Sequence, residues 1–202
     1  MIKLGITGGI GSGKSFVARL LEDRGVPVYF TDLAARRLMN GSAAIREALV
    51  RLIGAEAYGA DGRLNRQAVA RFLFSSPRHA ADVDGIVHPA VRDDFRQWAA
   101  ARSEQGVPVV AMECAILYES GFDSLTDVVV AVCAPEPVRT ARVMARDGAS
   151  AEQVRERMAM QWTDEQRSAR ADFVILNDGR SDLCSEVDAL LGHLLTAEKS
   201  SR

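Results

Sequence analysis

The sequence predicts an α/β fold: a parallel five-stranded sheet flanked by helices, with one helical insertion. Three observations carry this reading. Five short runs, "IKLGIT" (2–7), "VPVYF" (26–30), "VPVVAM" (107–112), "DVVVAVCA" (127–134) and "DFVIL" (172–176), are apolar throughout rather than alternating, as strands buried on both faces must be. Helical periodicity fills most of the gaps between them, the alternation expected of a parallel sheet. One gap, from Phe30 to Val107, is far longer than a single crossover needs and holds no convincing strand.

Taken in order, the first run leads through a glycine-rich stretch into a helix over Ser15–Arg24. Phe16, Leu20 and Leu21 are expected on one side of it, with Gly25 as its stop. In the long gap, Ala43–Leu52, Asn65–Phe74 and Pro89–Ala101 read as separate helices, broken by "GADGR" and "SSPRH". This insertion leaves the sheet at a strand's carboxyl end, where open α/β sheets bind ligands. Further on, Ser150 caps a helix whose Val154, Met158 and Trp162 recur every four residues, and Gln153 completes a capping box. A last helix, Ser181–Leu195, carries Leu183, Val187, Leu190, Leu191 and Leu194, and "TAEKSSR" (196–202) is expected to fray.

At 202 residues the chain fits one domain with an inserted subdomain. Apolar residues at 48% and charged residues at 26% place it among ordinary globular proteins. A formal net charge of −2 argues against nucleic-acid binding through a strongly basic surface. No apolar run is long enough to span a bilayer, and Met1 leads directly into a strand-like run without a signal-peptide layout. The expectation is a cytoplasmic protein, monomeric or weakly homo-oligomeric, with neither nucleic acid nor membrane as partner. Cys114, Cys133 and Cys184 are widely spaced and odd in number, which suits packed thiols better than disulfides or a zinc site.

The stretch Gly8-Gly9-Ile10-Gly11-Ser12-Gly13-Lys14-Ser15 satisfies G-x-x-x-x-G-K-[ST] in full. Glycines let a backbone approach an anion with no Cβ in the way. Successive N–H groups then face phosphate oxygens at the start of a helix whose dipole favours negative charge. Lys14 reaches the β- and γ-phosphates, and the Ser15 hydroxyl holds magnesium. A glycine-rich turn with a chance lysine is the bland alternative, but a strand precedes the motif and an amphipathic helix follows, as the motif requires. The fold class sharpens to a P-loop NTPase-type sheet that binds a nucleoside triphosphate.

Such a loop does not by itself separate kinases from GTPases, motor ATPases or nucleotide-dependent scaffolds. The guanine-reading N-K-x-D is absent, and "LNDG" (176–179) does not match it. A small-molecule kinase needs a carboxylate for the acceptor hydroxyl, and Asp32 follows the second strand. Asp32 is also placed to cap a helix from Leu33 onward, the lesser reading, and both roles can hold together. Arg142 and Arg146, one helical turn apart, suit a lid over the phosphates, or a solvated face with Asp147.

The motif order is more specific. "GITGGIGSGKS" comes first, then Asp32 with Arg36, "IVHPAV" (86–91), "AILYESGF" (115–122), "RVMARD" (142–147), Gln161 in "RMAMQW" and "ADFVILNDG" (171–179). In this order the chain resembles the dephospho-CoA kinases, which complete coenzyme A biosynthesis. The resemblance implies ATP as co-substrate, Mg2+, and dephospho-CoA as acceptor. It implies that Gly8, Gly9, Gly11, Ser12, Gly13, Lys14, Ser15 and Phe16 bind ATP, with Ser15 on the metal. It makes Asp32 the base for the ribose 3′-hydroxyl, with Lys14 and Arg142 assisting transfer and Asn177 beside the adenine. Arg36, His88 and Glu119 would meet the acceptor. Residues 1–32 and 105–202 would form the nucleotide-binding core, with a lid at about 136–165, and 33–104 the helical acceptor subdomain. The chain departs from the family pattern at Phe30, where many members carry the first Asp of Asp-x-Asp, and at Ala115, where proline is usual. Two rivals remain at this point: a nucleoside monophosphate kinase, and a nucleotide-switched binding module.

Overall fold

The structure, a computed structural model, describes residues 1–200, with side chains as far as Thr196. Five strands, β1 (Ile2–Thr7), β2 (Val28–Phe30), β3 (Val109–Glu113), β4 (Val128–Cys133) and β5 (Phe173–Leu176), form one sheet. Its order is β2-β3-β1-β4-β5, and every pairing is parallel. β1 matches its apolar run, and the other four strands are shorter than theirs. In β2 the loss is at Pro27, which has no N–H to give a ladder and serves only through its carbonyl, accepting from Ala111 N at 2.9 Å.

β1 lies between β3 and β4, and the connections from β1 and β3 leave in opposite directions. The crevice at their carboxyl ends is therefore a topological switch point, where such sheets bind ligands. Leu4 and Ile6 on β1 and Val130 and Val132 on β4 are fully buried in the central core. At about 1.5–3 kcal/mol per buried aliphatic side chain, this cluster stabilises the centre of the sheet.

Two compact units divide the chain: Met1–Phe30 with Ala99–Arg202, and Thr31–Trp98. The first holds the sheet with α1 (Lys14–Glu22), α6 (Glu136–Asp147), α7 (Ala151–Ala159), α8 (Asp164–Ser168) and α9 (Leu183–Ser200). The second holds α2 (Thr31–Gly41), α3 (Ala43–Ile53), α4 (Arg66–Ser75) and most of α5 (Pro77–Glu104). Within it, the Tyr58 hydroxyl donates to Met39 O at 2.6 Å, and Arg46 lies 4.3 Å over the Tyr58 ring.

Several expectations are corrected. α1 starts one residue earlier than expected and buries Val17, Ala18, Leu20 and Leu21, whereas Phe16 is 54% exposed, because Val17 and Leu21 centre the buried face and Phe16 lies off its edge. The helix closes at Glu22 and the chain turns out of it at the expected Gly25: Val26 N donates to Leu21 O and Gly25 N to Glu22 O, with Gly25 at φ 78°. The helix expected to begin at Pro89 begins at Pro77, and Pro89 lies inside it. The earlier start is set by Ser76, whose hydroxyl accepts from His79 N at 3.1 Å, and by Pro77 in the first helical position. Trp162 lies past the end of α7, although the Ser150–Gln153 capping box forms as expected. α9 continues to Ser200, so "TAEKS" is helical; Ser201 and Arg202 lie outside the described residues. Cys114 and Cys133 are buried and in no disulfide, whereas Cys184 is exposed rather than packed. Among the described residues no helix is long and apolar enough to cross a membrane.

Candidate active site

The glycine-rich loop joins β1 to α1 at the switch point. Gly13, at φ 92°, stands before the first turn of α1, and no side chain caps that helix. Its leading N–H groups are thus left for an anion. Gly11 has φ 79°, and a Cβ there would lie 2.6 Å from the Arg139 carbonyl oxygen. A Cβ on Gly13 would run into the Asn177 amide. Glycine is demanded at both positions by the dihedral and by the neighbour.

Lys14 and Ser15 meet a carboxylate that the sequence reading did not single out. Glu113, the last residue of β3, is 4% exposed. Its Oε1 accepts from Ser15 Oγ at 2.9 Å and lies 3.6 Å from Lys14 Nζ. The signal was present in "VVAME", a wholly apolar strand that ends in an acid at the carboxyl edge of the sheet. Glu113 is also the ladder partner of Phe30, so a strand-end carboxylate stands one strand over from the position where the family pattern carries its first Asp.

On the other side of the loop, Asn177 Nδ2 donates to Ser12 O at 2.8 Å, and the Asn177 N–H donates to Cys133 O at 2.7 Å. Arg142 reaches the same residue, donating from Nη2 to Asn177 Oδ1 at 3.0 Å and from Nη1 to Asn177 O at 3.1 Å. The fold therefore brings Arg142 and Asn177 together beside Ser12. Arg146 turns away to Asp147, 2.7 Å from Nε, and Arg157 joins the same carboxylate at 3.0 Å. These arginines hold Asp147 below the usual carboxylate range. Arg139, three residues before Arg142 and so on the same helix face, is the arginine that joins Arg142 at the loop. Its Nε donates to Ile10 O at 3.0 Å, and Gln161 Oε1 accepts from Ile10 N at 2.9 Å.

Glu119 is engaged within the protein: its Oε1 accepts from Trp162 N at 3.2 Å and lies 3.4 Å from Nη2 of the fully buried Arg167. Trp162 in turn stacks on Tyr118, ring centroids 5.3 Å apart. In the Thr31–Trp98 unit, Asp32 lies in the first turn of α2, two residues past the carboxyl end of β2, and Arg36 follows one turn later; both are exposed. His88 Nε2 lies 3.3 Å from Asp84, and burial pushes the imidazole below its ordinary pKa despite that carboxylate.

Comparison with known proteins bears on the whole chain. A family model described as dephospho-CoA kinase matches residues 2–182. A dephospho-CoA kinase from Bacteroides fragilis is 44% identical over 193 residues, covering 96% of this chain and 93% of that protein. One from Porphyromonas gingivalis is 48% identical over 178 residues, covering 88% and 86%. The crystal structure of TT1252 from Thermus thermophilus superposes with a TM-score of 0.81 at 37% identity, covering 96% of this chain and 97% of that one. A match that begins in β1 and runs past the Asn177 loop takes in both compact units, and on that ground the chain belongs to the dephospho-CoA kinase family.

Proposed function

We propose that the protein transfers the γ-phosphoryl group of ATP to the ribose 3′-hydroxyl of dephospho-CoA, giving coenzyme A and ADP. The observation that carries this is the meeting of Lys14, Ser15 and Glu113 at the mouth of the glycine-rich loop, in a chain of this family. Asp32 takes the proton of the 3′-hydroxyl as its oxygen attacks the γ-phosphorus. The bond from that phosphorus to the β,γ-bridging oxygen breaks, and ADP leaves. Lys14 and the loop amides neutralise charge on the transferring group, and Arg142 with Asn177 holds the nucleotide. Phe16, exposed in the first turn of α1, borders the nucleotide. Arg36, His88 and Glu119 act on the acceptor side, residues 33–104 receive it, and residues 136–165 act as the lid that excludes water.

Ser15 Oγ and the Glu113 carboxylate are adjacent hard oxygen donors, the kind of set magnesium takes from a protein beside water and phosphate oxygens. The residues present fit the ion: Ser15 and Glu113 would hold it, with Glu113 supplying a carboxylate that Phe30 lacks. When bound, magnesium offsets negative charge on the phosphates.

The test is a mass-spectrometric product assay with ATP and dephospho-CoA, with and without magnesium, in which AMP, CMP and UMP compete as acceptors. Coenzyme A formed only with magnesium is expected. A phosphorylated nucleotide in its place would overturn the acceptor, and no product from a folded, ATP-binding protein would overturn the enzyme reading. In the same assay Asp32→Asn is expected to remove most transfer while ATP still binds. Loss of ATP binding instead would move Asp32 to a metal or structural role.

A further inference from the structure

Ile10 stands between Gly9 and Gly11, and both of its backbone polar groups are taken by side chains from distant segments. Its N–H donates to Gln161, in the turn after α7, and its C=O accepts from Arg139, on α6. Loops of this kind are anchored at their ends, here by β1 and α1. Their glycines otherwise impose little torsional restraint, and ordering them costs more entropy than ordering other residues. A grip on the middle of the loop would relieve that cost before any nucleotide arrives.

The grip is itself held. Arg139 Nη1 lies 3.1 Å from Asp164 Oδ1, and the second oxygen of Asp164 accepts from Ala134 N at 3.3 Å. Asp164 Oδ1 also lies 3.7 Å from Arg167 Nη1, and Arg167 reaches Glu119 at 3.4 Å. Arg139 is 7% exposed and Arg167 0%, so the two arginines are buried and paired with the partly exposed carboxylates of Asp164 and Glu119 in one alternating network. The guanidinium of Arg139 also lies where a Cβ on Gly9 would be, which gives that glycine a packing reason separate from phosphate approach.

We propose that Gln161 and Arg139 are positioning residues for phosphoryl transfer: by gripping the N–H and C=O of Ile10 they hold the glycine-rich loop in the shape that turns its other amides toward the triphosphate, with Asp164, Arg167 and Glu119 as the scaffold of that grip. The proposal rests on the reading that this loop binds the phosphates of ATP. Gln161 and Arg139 act through Ile10 rather than on the reacting atoms.

The experiment compares Gln161→Met, which keeps length but has no oxygen acceptor, with Gln161→Glu, which keeps one. ATP binding is measured by calorimetry in about 0.3 M salt, which screens the added carboxylate. The steady-state constants for both substrates and the melting temperature without nucleotide are measured beside it. Gln161→Met is expected to weaken ATP binding about tenfold, the scale of leaving one amide donor without its acceptor. The KM for dephospho-CoA and the nucleotide-free melting temperature should stay near wild type. Gln161→Glu should stay within about threefold of wild type in ATP affinity. Arg139→Lys, which keeps the charge opposite Asp164 but loses the Nε donor, should weaken ATP binding as Gln161→Met does. Equal losses in the Met and Glu variants would overturn the proposal, as would unchanged affinity in Gln161→Met. Tighter ATP binding by Gln161→Met would also overturn it, by showing Gln161 to be a plug on the Ile10 amide. A wild-type protein that binds no ATP would instead fail the underlying reading of the loop.

Discussion

Lys14 and Ser15 share one carboxylate, Glu113, and the pairing has consequences for both. An ammonium on a flexible four-carbon stem samples many positions in water, and the buried Glu113 restricts Lys14 to the mouth of the loop. The same oxygen orients the Ser15 hydroxyl. Lys14→Ala should therefore act on rate more than on folding. Transfer is expected to fall at least about a hundredfold, the scale of losing one donor to a developing anion. The stability loss should stay within about 1–3 kcal/mol, since Ser15 still satisfies Glu113. Turnover and denaturant unfolding of the same preparation check this, and near-native turnover in a folded variant would sink the role of Lys14.

At the scale of the element, α5 runs through a proline. Pro89 has no N–H to give the carbonyl of residue 85, and its ring crowds that same carbonyl, a defect worth about 3 kcal/mol in a helix interior. Position 85 is an exposed glycine with open space where a Cβ would stand. Two helix-weakening residues one turn apart leave this stretch stabilised by burial of Val83, Val87, Val91 and Phe95 rather than by propensity. Gly85→Ala is expected to raise stability by about 0.5–1 kcal/mol in urea unfolding, because the glycine contributes only unfolded-state entropy. A loss of stability would mean that the proline bend needs the freedom of residue 85.

Over the whole molecule, the chain passes between its two compact units twice, without a linker either time. β2 gives way directly to α2 at Phe30–Thr31, and α5 continues unbroken through Trp98–Ala99. Chain strain is then transmitted through regular structure, and unfolding should be one cooperative event. Each unit carries one tryptophan: Trp98, stacked on Phe95 at 5.9 Å, and Trp162, stacked on Tyr118. In Trp98→Phe and Trp162→Phe variants the remaining fluorescence should report a transition that coincides with far-UV circular dichroism. Separate midpoints for the two probes would show units that unfold independently.

What the sequence determined by itself was local. Each strand centre, the stop of α1 at Gly25, the capping box at Ser150 and the whole phosphate-binding motif are written in patterns a few residues long, which neighbours along the chain suffice to enforce. Two local signals were ambiguous. Pro77 and Pro89 both announce a helix start, and only the cap at Ser76 decides between them. Arg142 pairs equally by helix spacing with Arg146 or Arg139, and the fold turned it toward Asn177, with Arg139 beside it. The site itself was decided by tertiary structure. Ser15 meets Glu113 across 98 residues and Ile10 meets Gln161 across 151, because β3 lies beside β1 and the α7–α8 turn comes down on the loop. Strand adjacency depends on how buried surfaces share one core, and no periodicity within a strand records which neighbour it will have.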